Sequence, residues 1–206
     1  IESMRQFGGF VSMKTNPDGS ESPYEINIAL FDALKGTHMG IDQWQVSRFL
    51  CSQTVMLGLK GIPAIYIHSL LATPNDLAGV ENSGRTRSIN RHRCQLDELE
   101  ELLADPGTPN HSVFEEIKRL LAIRKNQPAF HPDARQEVVA LGEAFFAFWR
   151  FSDAGQSLLA ISNLTDKPQI FSLSEQSCRV LTEDWFDLIA GAVQVALDEE
   201  LILRPY

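Results

Sequence analysis

The apolar positions divide the chain near Pro128, with helical periodicity and one buried-strand signal before it and strand-like alternation after it. Residues 16–20, Asn-Pro-Asp-Gly-Ser, read as a turn, because proline presets one dihedral angle and glycine permits a positive one. Residues 24–34 predict a short helix. Asp42 is placed to cap a longer helix reaching about Leu59, with Val46, Phe49, Leu50, Met56 and Leu57 on its buried stripe. Residues 61–67, Gly-Ile-Pro-Ala-Ile-Tyr-Ile, predict a strand buried on both faces, as in a parallel sheet. Pro63 lies near its start, where a missing N–H is tolerated. From His68 to about Gln95 periodicity fades, and a long loop of this kind is usually functional or disordered. Residues 96–103 predict a short acidic helix. Ser112-Val113-Phe114-Glu115 has the form of a capping box opening a helix with Val113, Ile117, Leu120 and Leu121 on one face.

Beyond Pro128 the strand-like runs are 137–141, 144–151, 157–164, 169–173, 179–182, 193–197 and 201–203. Turns at Asp153-Ala154-Gly155 and Thr165-Asp166-Lys167 separate some of them. This spacing predicts an antiparallel sandwich. Helix, buried strand, long loop, helix and small β-domain is the order expected at the end of a barrel enzyme. A whole barrel needs about 250 residues and eight such strands, and only one is convincing here. The expected fold is therefore α/β: the C-terminal part of a (β/α)8 TIM barrel followed by a small antiparallel β-domain. Residues 1–128 would hold the last βα units and active-site loops of an incomplete barrel, and 129–206 the sheet domain. A lone parallel strand leaves its ladder unpaired, so 1–128 is expected to need the missing barrel segment, swapping or a homodimer for order. Residues 129–206 are expected to fold alone.

Composition narrows the function. At 44% hydrophobic and 22% charged residues the chain is not disordered throughout. No apolar run approaches the roughly 20 residues of a membrane span. The net charge of −9 opposes nucleic-acid binding, which depends on neutralising phosphates. Cys51, Cys94 and Cys178 are odd in number and widely spaced, which fits reduced thiols in a cytoplasm. The five histidines show no ligand spacing, so neither metal nor cofactor is expected. The opening Ile1-Glu2-Ser3-Met4-Arg5 has no leader pattern and no initiating Met, which suggests an excerpt or a processed product.

The predicted loop carries the chemistry. Arg85, Arg87, Arg91 and Arg93 fall within nine residues of an acidic chain. Forked guanidinium donors suit phosphate, carboxylate or vicinal hydroxyl oxygens. The alternative is a solvated basic segment paired with nearby acids such as Glu81 and Asp97. Asp76 could accept a substrate hydroxyl, although Asn-Asp after proline is also ordinary turn chemistry. His68, at the expected strand end, reads either as a substrate contact or as a structural histidine. Trp44, Trp149 and Trp185 could stack on sugars, with core packing as the default.

Several segments together are similar to the sucrose phosphorylase subfamily of glycoside hydrolase family 13. They are Gly8-Gly9-Phe10-Val11-Ser12, Ser22-Pro23-Tyr24-Glu25-Ile26-Asn27, Gly61-Ile62-Pro63-Ala64-Ile65-Tyr66, Asn75-Asp76 and Arg87-Ser88-Ile89-Asn90-Arg91. Gln127-Pro128-Ala129-Phe130-His131-Pro132 resembles that family's entry to its C-terminal sheet domain. The resemblance covers nearly the whole chain, in order. It implies retaining glucosyl transfer from an α-glucoside to inorganic phosphate, with two carboxyls about 5 Å apart. In the family these acids precede the matched part, so no catalytic acid is expected here, and Glu25 ranks low for that role. The resemblance assigns Arg87 to the glucosyl unit, and Tyr24 and Glu25 to the mobile loop on the acceptor and phosphate side. Arg85 and Arg91 are weaker anion-binding candidates. Sucrose-specific members read Leu-Asp-Leu-Tyr-Gln where this chain has Ser22 and Glu25. That departure points to relatives acting on sucrose 6-phosphate, glucosylglycerate or glucosylglycerol. A family 13 α-glucosidase or transglucosidase, and a non-catalytic carbohydrate-binding module, remain alternatives.

Overall fold

A computed structural model describes residues 1–172, 185–191, 193–195 and 200–206. The predicted strand 179–182 lies outside the described residues. The chain forms two compact units, one of residues 1–49 and 64–117 and the other of 50–63 and 118–206. The division falls inside two helices, whereas the sequence reading set one boundary at Pro128.

In the first unit, α1 (Glu2–Gln6) leads into a hairpin of β1 (Phe10–Thr15) and β2 (Glu21–Asn27). The turn at 16–20 closes as expected, with Gly19 at φ +82° and Asp18 Oδ1 accepting from the Ser20 N–H at 3.0 Å. Of the helix expected over 24–34, residues 24–27 belong to β2. Tyr24 and Ile26 stand exposed along β2 instead of forming a helical stripe, and cross-strand pairing with β1 supplies the backbone partners. Only α2 (Leu30–Ala33) is helical there. A small hairpin of β3 (Gly36–Thr37) and β4 (Gly40–Ile41) follows. Then comes α3 (Gln45–Gly58), preceded by Asp42, whose Oδ1 accepts from the Trp44 N–H at 2.8 Å.

The segment predicted as a strand over 61–67 joins no sheet among the described residues, although the Gly61 N–H donates to the Pro132 carbonyl at 3.1 Å, and Ile67 opens α4 (Ile67–Leu70). Its composition is strand-like and Tyr66 is extended (φ −74°, ψ 139°), but a strand exists only through its neighbours. The predicted long loop is more ordered than its periodicity suggested. It contains α4, α5 (Leu77–Ser83) and a 3-10 turn at Thr86–Asn90. Caps rather than an apolar stripe define α5: Asp76 at its start and Gly84, left-handed at φ 64°, at its end.

The acidic helix is present as α6 (Leu96–Ala104). The last helix, α7 (Pro109–Lys125), starts three residues before the expected capping box. Pro109 suits a first helical position, and Thr108 Oγ1 accepts from the His111 N–H at 3.1 Å. Ser112 therefore lies inside the helix and donates back to the Thr108 carbonyl at 3.1 Å. Phe7, Phe49, Ile89, Val113 and Ile117 are almost wholly buried in this unit.

The second unit is built on antiparallel strands. β5 (Arg135–Val139), β6 (Phe145–Phe151) and β7 (Ser157–Asn163) form one sheet. β8 (Gln169–Ser172) pairs with β11 (Glu200–Leu203), and β9 (Trp185–Asp187) with β10 (Val193–Val195). Phe171 and Val195 centre a cluster with Phe145, Leu159, Ile161 and Trp185. Residues 147–151 of β6 are all buried, as in a strand covered on both faces. All strand pairing among the described residues is antiparallel.

Arg150, on β6, is wholly buried, and no acid faces it among the described residues. It donates to the carbonyls of Gly58 (2.8 Å), His131 (2.7 Å) and Ala134 (3.4 Å). Arg124 donates to Leu57, Gly61 (3.2 Å) and Phe130 (2.9 Å), and both guanidiniums lie over the Phe130 ring. Burial lowers the pKa of both, and the Arg124 charge lowers that of Arg150 further. Backbone dipoles and a ring face replace the carboxylate that a buried cation usually takes.

Candidate active-site segment

The first unit brings together residues far apart in sequence. Arg87, in the 3-10 turn, directs its Nε to both carboxylate oxygens of Glu25 on β2, each at 3.1 Å. The pair is separated by 62 residues. Neither Glu81 nor Asp97 is its partner, so the arginine segment is not merely satisfied by local acids.

Both supports of this pair are tied down by backbone hydrogen bonds. Ile89 is wholly buried and its carbonyl accepts from the Asp76 N–H at 2.8 Å, which fixes the turn beneath Arg87. Across the hairpin, Ser12 faces Glu25 and Met13 faces Pro23, so Tyr24 is the extra residue of a β-bulge. That bulge leaves Tyr24 66% exposed beside Glu25.

Asn75 ties the parts together. Its Oδ1 accepts from the Ala29 N–H (2.8 Å), its Nδ2 donates to the Phe7 carbonyl (3.1 Å), and its N–H donates to Asp32 Oδ2 (2.7 Å). Asp76 is committed locally. Its Oδ1 accepts from the Gly79 N–H at 2.7 Å, and its Oδ2 lies 3.1 Å from His92 Nδ1. The backbone hydrogen bond from Gly79, aided by His92, holds the carboxyl below its ordinary range against a smaller opposing effect of burial. In this chain Asp76 is first of all a helix cap.

His68 sits in α4 rather than at a strand end. Its Nδ1 is 3.1 Å from Thr73 Oγ1, and its ring meets Tyr66 edge-on at 5.1 Å. Burial, with a contribution from His92, lowers its pKa. Ala29, Leu30, Tyr66, His68, Thr73 and Asn90 line a cleft of about 160 Å³. This is smaller than the ~300 Å³ of a typical complete small-molecule site, so it suits part of a ligand. Tyr66 also donates to the Asn90 carbonyl at 2.9 Å. The guanidiniums of Arg85 and Arg91 are exposed and have no protein partner among the described residues.

The sequence reading missed His92, Tyr66 and Asn75. Asn75 stood in a Pro-Asn-Asp turn signal, but its three partners, two backbone groups and the Asp32 carboxylate, lie in distant segments and leave no local pattern. Trp149 and Trp185 are core residues, 5.5 Å apart with tilted rings. No group of His, Cys, Asp and Glu suited to a metal exists among the described residues, and no helix is long and apolar enough to cross a membrane. Cys94 is exposed and Cys51 half-buried, with burial raising the Cys51 pKa, and Cys178 lies outside the described residues.

No family model matches the chain. It is 34% identical to glucosylglycerate phosphorylase of Escherichia coli (strain K12) over 206 residues, all of this chain and 35% of that protein. This likeness supports the sucrose phosphorylase-like subfamily of glycoside hydrolase family 13, with the chain as its C-terminal portion. Glucosylglycerate phosphorylase of Allomeiothermus silvanus is 37% identical over 197 residues, 95% of this chain and 35% of that protein. The chain thus spans about a third of the length of these curated relatives. Among solved structures, a sucrose 6F-phosphate phosphorylase from Thermoanaerobacter thermosaccharolyticum matches with a TM-score of 0.55. That match covers 78% of this chain and 35% of the other at 19% identity, a likeness of fold alone. Within the subfamily resemblance, the two residues matched to the glucosyl unit and the mobile loop, Arg87 and Glu25, are the two that meet.

Proposed function

We propose that this chain supplies the glucosyl-recognition part of a retaining α-glucoside phosphorylase. The whole enzyme transfers a glucosyl unit between a glucosylglycerate-like glucoside and inorganic phosphate. The observation that carries this reading is the meeting of the bulged hairpin with the arginine turn, in a chain that resembles glucosylglycerate phosphorylases along its whole length. Ser22 and Glu25, which depart from the sucrose pattern, support glucosylglycerate over sucrose.

In this reading Arg87 donates to glucosyl hydroxyls, and Tyr24 lies on the acceptor side, where its bulge exposes it. Arg85 and Arg91 have no side-chain partner among the described residues and suit phosphate. Asp76 and His68 shape the floor: Asp76 through the α5 cap, His68 through the cleft it shares with Tyr66 and Thr73. The catalytic acids belong to earlier strands of a (β/α)8 barrel, for which 61–67 supplies one strand. Its lack of a strand partner among the described residues and the exposed Ile62 and Tyr66 support that placement. This chain alone is then inactive.

The test is glucose 1-phosphate release from glucosylglycerate by the full-length enzyme, with and without phosphate. Phosphate-dependent release is expected. Equal consumption of the glucoside in phosphate-free buffer would instead identify a family 13 hydrolase or transglucosidase.

A further inference from the structure

By the family resemblance Glu25 belongs to the substrate loop. Its geometry assigns it a different task. Both of its oxygens face one atom, Arg87 Nε, at 3.1 Å, and neither reaches a terminal guanidinium nitrogen. An end-on pair would spend the two terminal nitrogens on the carboxylate. This side-on pair spends only the single Nε–H, and the four N–H bonds of Nη1 and Nη2 have no protein acceptor among the described residues.

The pair is too exposed to be kept for stability: the Arg87 and Glu25 side chains retain 58% and 34% of their accessible surface, and such pairs add little to folding. What it can do is orient. An arginine side chain has several free torsions, and each must be frozen before it binds a planar set of hydroxyls. Glu25 is held by the β1–β2 ladder, where the buried Asn27 donates to Ser12 Oγ at 3.2 Å. Arg87 is held by the turn anchored on Ile89. Two fixed backbones thus leave the guanidinium with one preferred direction.

We propose that Glu25 is a positioning residue that clamps Arg87 through Nε and leaves both terminal nitrogens to the glucosyl unit. This rests on the phosphorylase reading of the site. It also gives the departure from glutamine at this position a consequence, because glutamine offers one acceptor oxygen and no charge.

A double-mutant cycle in the full-length enzyme tests it, using native protein, Glu25→Ala, Arg87→Ala and the double variant, with Glu25→Gln as the conservative control. Phosphorolysis of glucosylglycerate is the readout, and melting curves establish that each variant is folded. Glu25→Ala is expected to lower kcat/KM about tenfold in native enzyme and less than about twofold in the Arg87→Ala background. Glu25→Gln, which keeps one acceptor oxygen without the charge, is expected to fall between Glu25→Ala and the native enzyme, and the KM for phosphate to stay unchanged in both Glu25 variants. Multiplicative losses in the double variant would overturn the proposal, since Glu25 would then contact substrate itself. So would a Glu25→Ala enzyme with native kcat/KM, or a raised KM for phosphate in either Glu25 variant. Full activity of Arg87→Ala would instead remove the glucosyl role of Arg87, a distinct failure of the underlying reading.

Discussion

Single residues here do two kinds of work, and Asp76 separates them. Its contacts are those of a helix cap, so Asp76→Ala is expected to cost about 1 kcal/mol of stability in denaturant unfolding, whereas Asp76→Asn retains most of it. A severe loss of activity with unchanged stability would show that its carboxylate serves substrate instead. The pH dependence follows from the same contacts. The folded-state pKa of Asp76 is depressed, so its stabilisation is present above the ordinary value of 3.8 and is lost as pH falls through the folded value. His68 is depressed by burial and by His92. The unfolded chain therefore takes up its proton first, and stability declines as pH drops from 6.5 toward the lower folded value. Unfolding free energy measured from pH 7.5 to 5 should fall, and His68→Gln should flatten that fall. A flat native profile would contradict the burial of His68.

The elements show which signals were legible in the sequence and why. Runs bounded by turns beyond Pro128 became β5, β6, β7, β8, β10 and β11 within a residue or two at most starts, because each alternation is satisfied by adjacent strands of the same chain. β9 lies outside the predicted runs, because its three residues have no apolar alternation around them, whereas the equally short β10 lies in the run 193–197. The helix expected at 24–34 survives only as α2, because cross-strand partners, not local propensity, decide 24–27 in β2. The strand expected at 61–67 kept its composition and lacked its neighbours. Arg87 and Glu25 were each found through the family pattern, but their pairing joins 62 residues and leaves no trace in local spacing. The β3–β4 hairpin provides an element-scale test. A Cβ on Gly36 would lie 2.1 Å from the Gly40 carbonyl oxygen, a backbone atom that no rotamer change can move. Gly36→Ala is expected to cost about 1–3 kcal/mol, read as a lower denaturation midpoint. An unchanged midpoint would mean that the hairpin opens without consequence.

At the scale of the molecule, the second unit does not begin where the strands begin. Arg150 draws on the Gly58 carbonyl, Gln136 Oε1 accepts from the Lys60 N–H at 2.7 Å, and Arg124 holds the carbonyls of Leu57 and Gly61. A fragment of 129–206 lacks all three supports. It is expected to unfold at lower denaturant concentration than the whole chain, and equal midpoints would show that the sheet needs none of them. Arg150→Ala, which removes a wholly buried side chain and three hydrogen bonds, should destabilise the protein by about 3 kcal/mol or more. The first unit, in turn, presents an arginine whose terminal donors have no acceptor among the described residues. In the proposed reading the rest of a phosphorylase surrounds that arginine and the glucosyl unit occupies it. Two charge-assisted hydrogen bonds to hydroxyls are worth about 3 kcal/mol, or roughly 100-fold in rate when they form in the transition state. The direct measurement is the initial rate of glucose 1-phosphate formation from glucosylglycerate and phosphate by the full-length enzyme carrying Arg87→Ala. A folded variant slowed by about 100-fold is the expected result. A folded variant that turns over at the native rate would contradict the account.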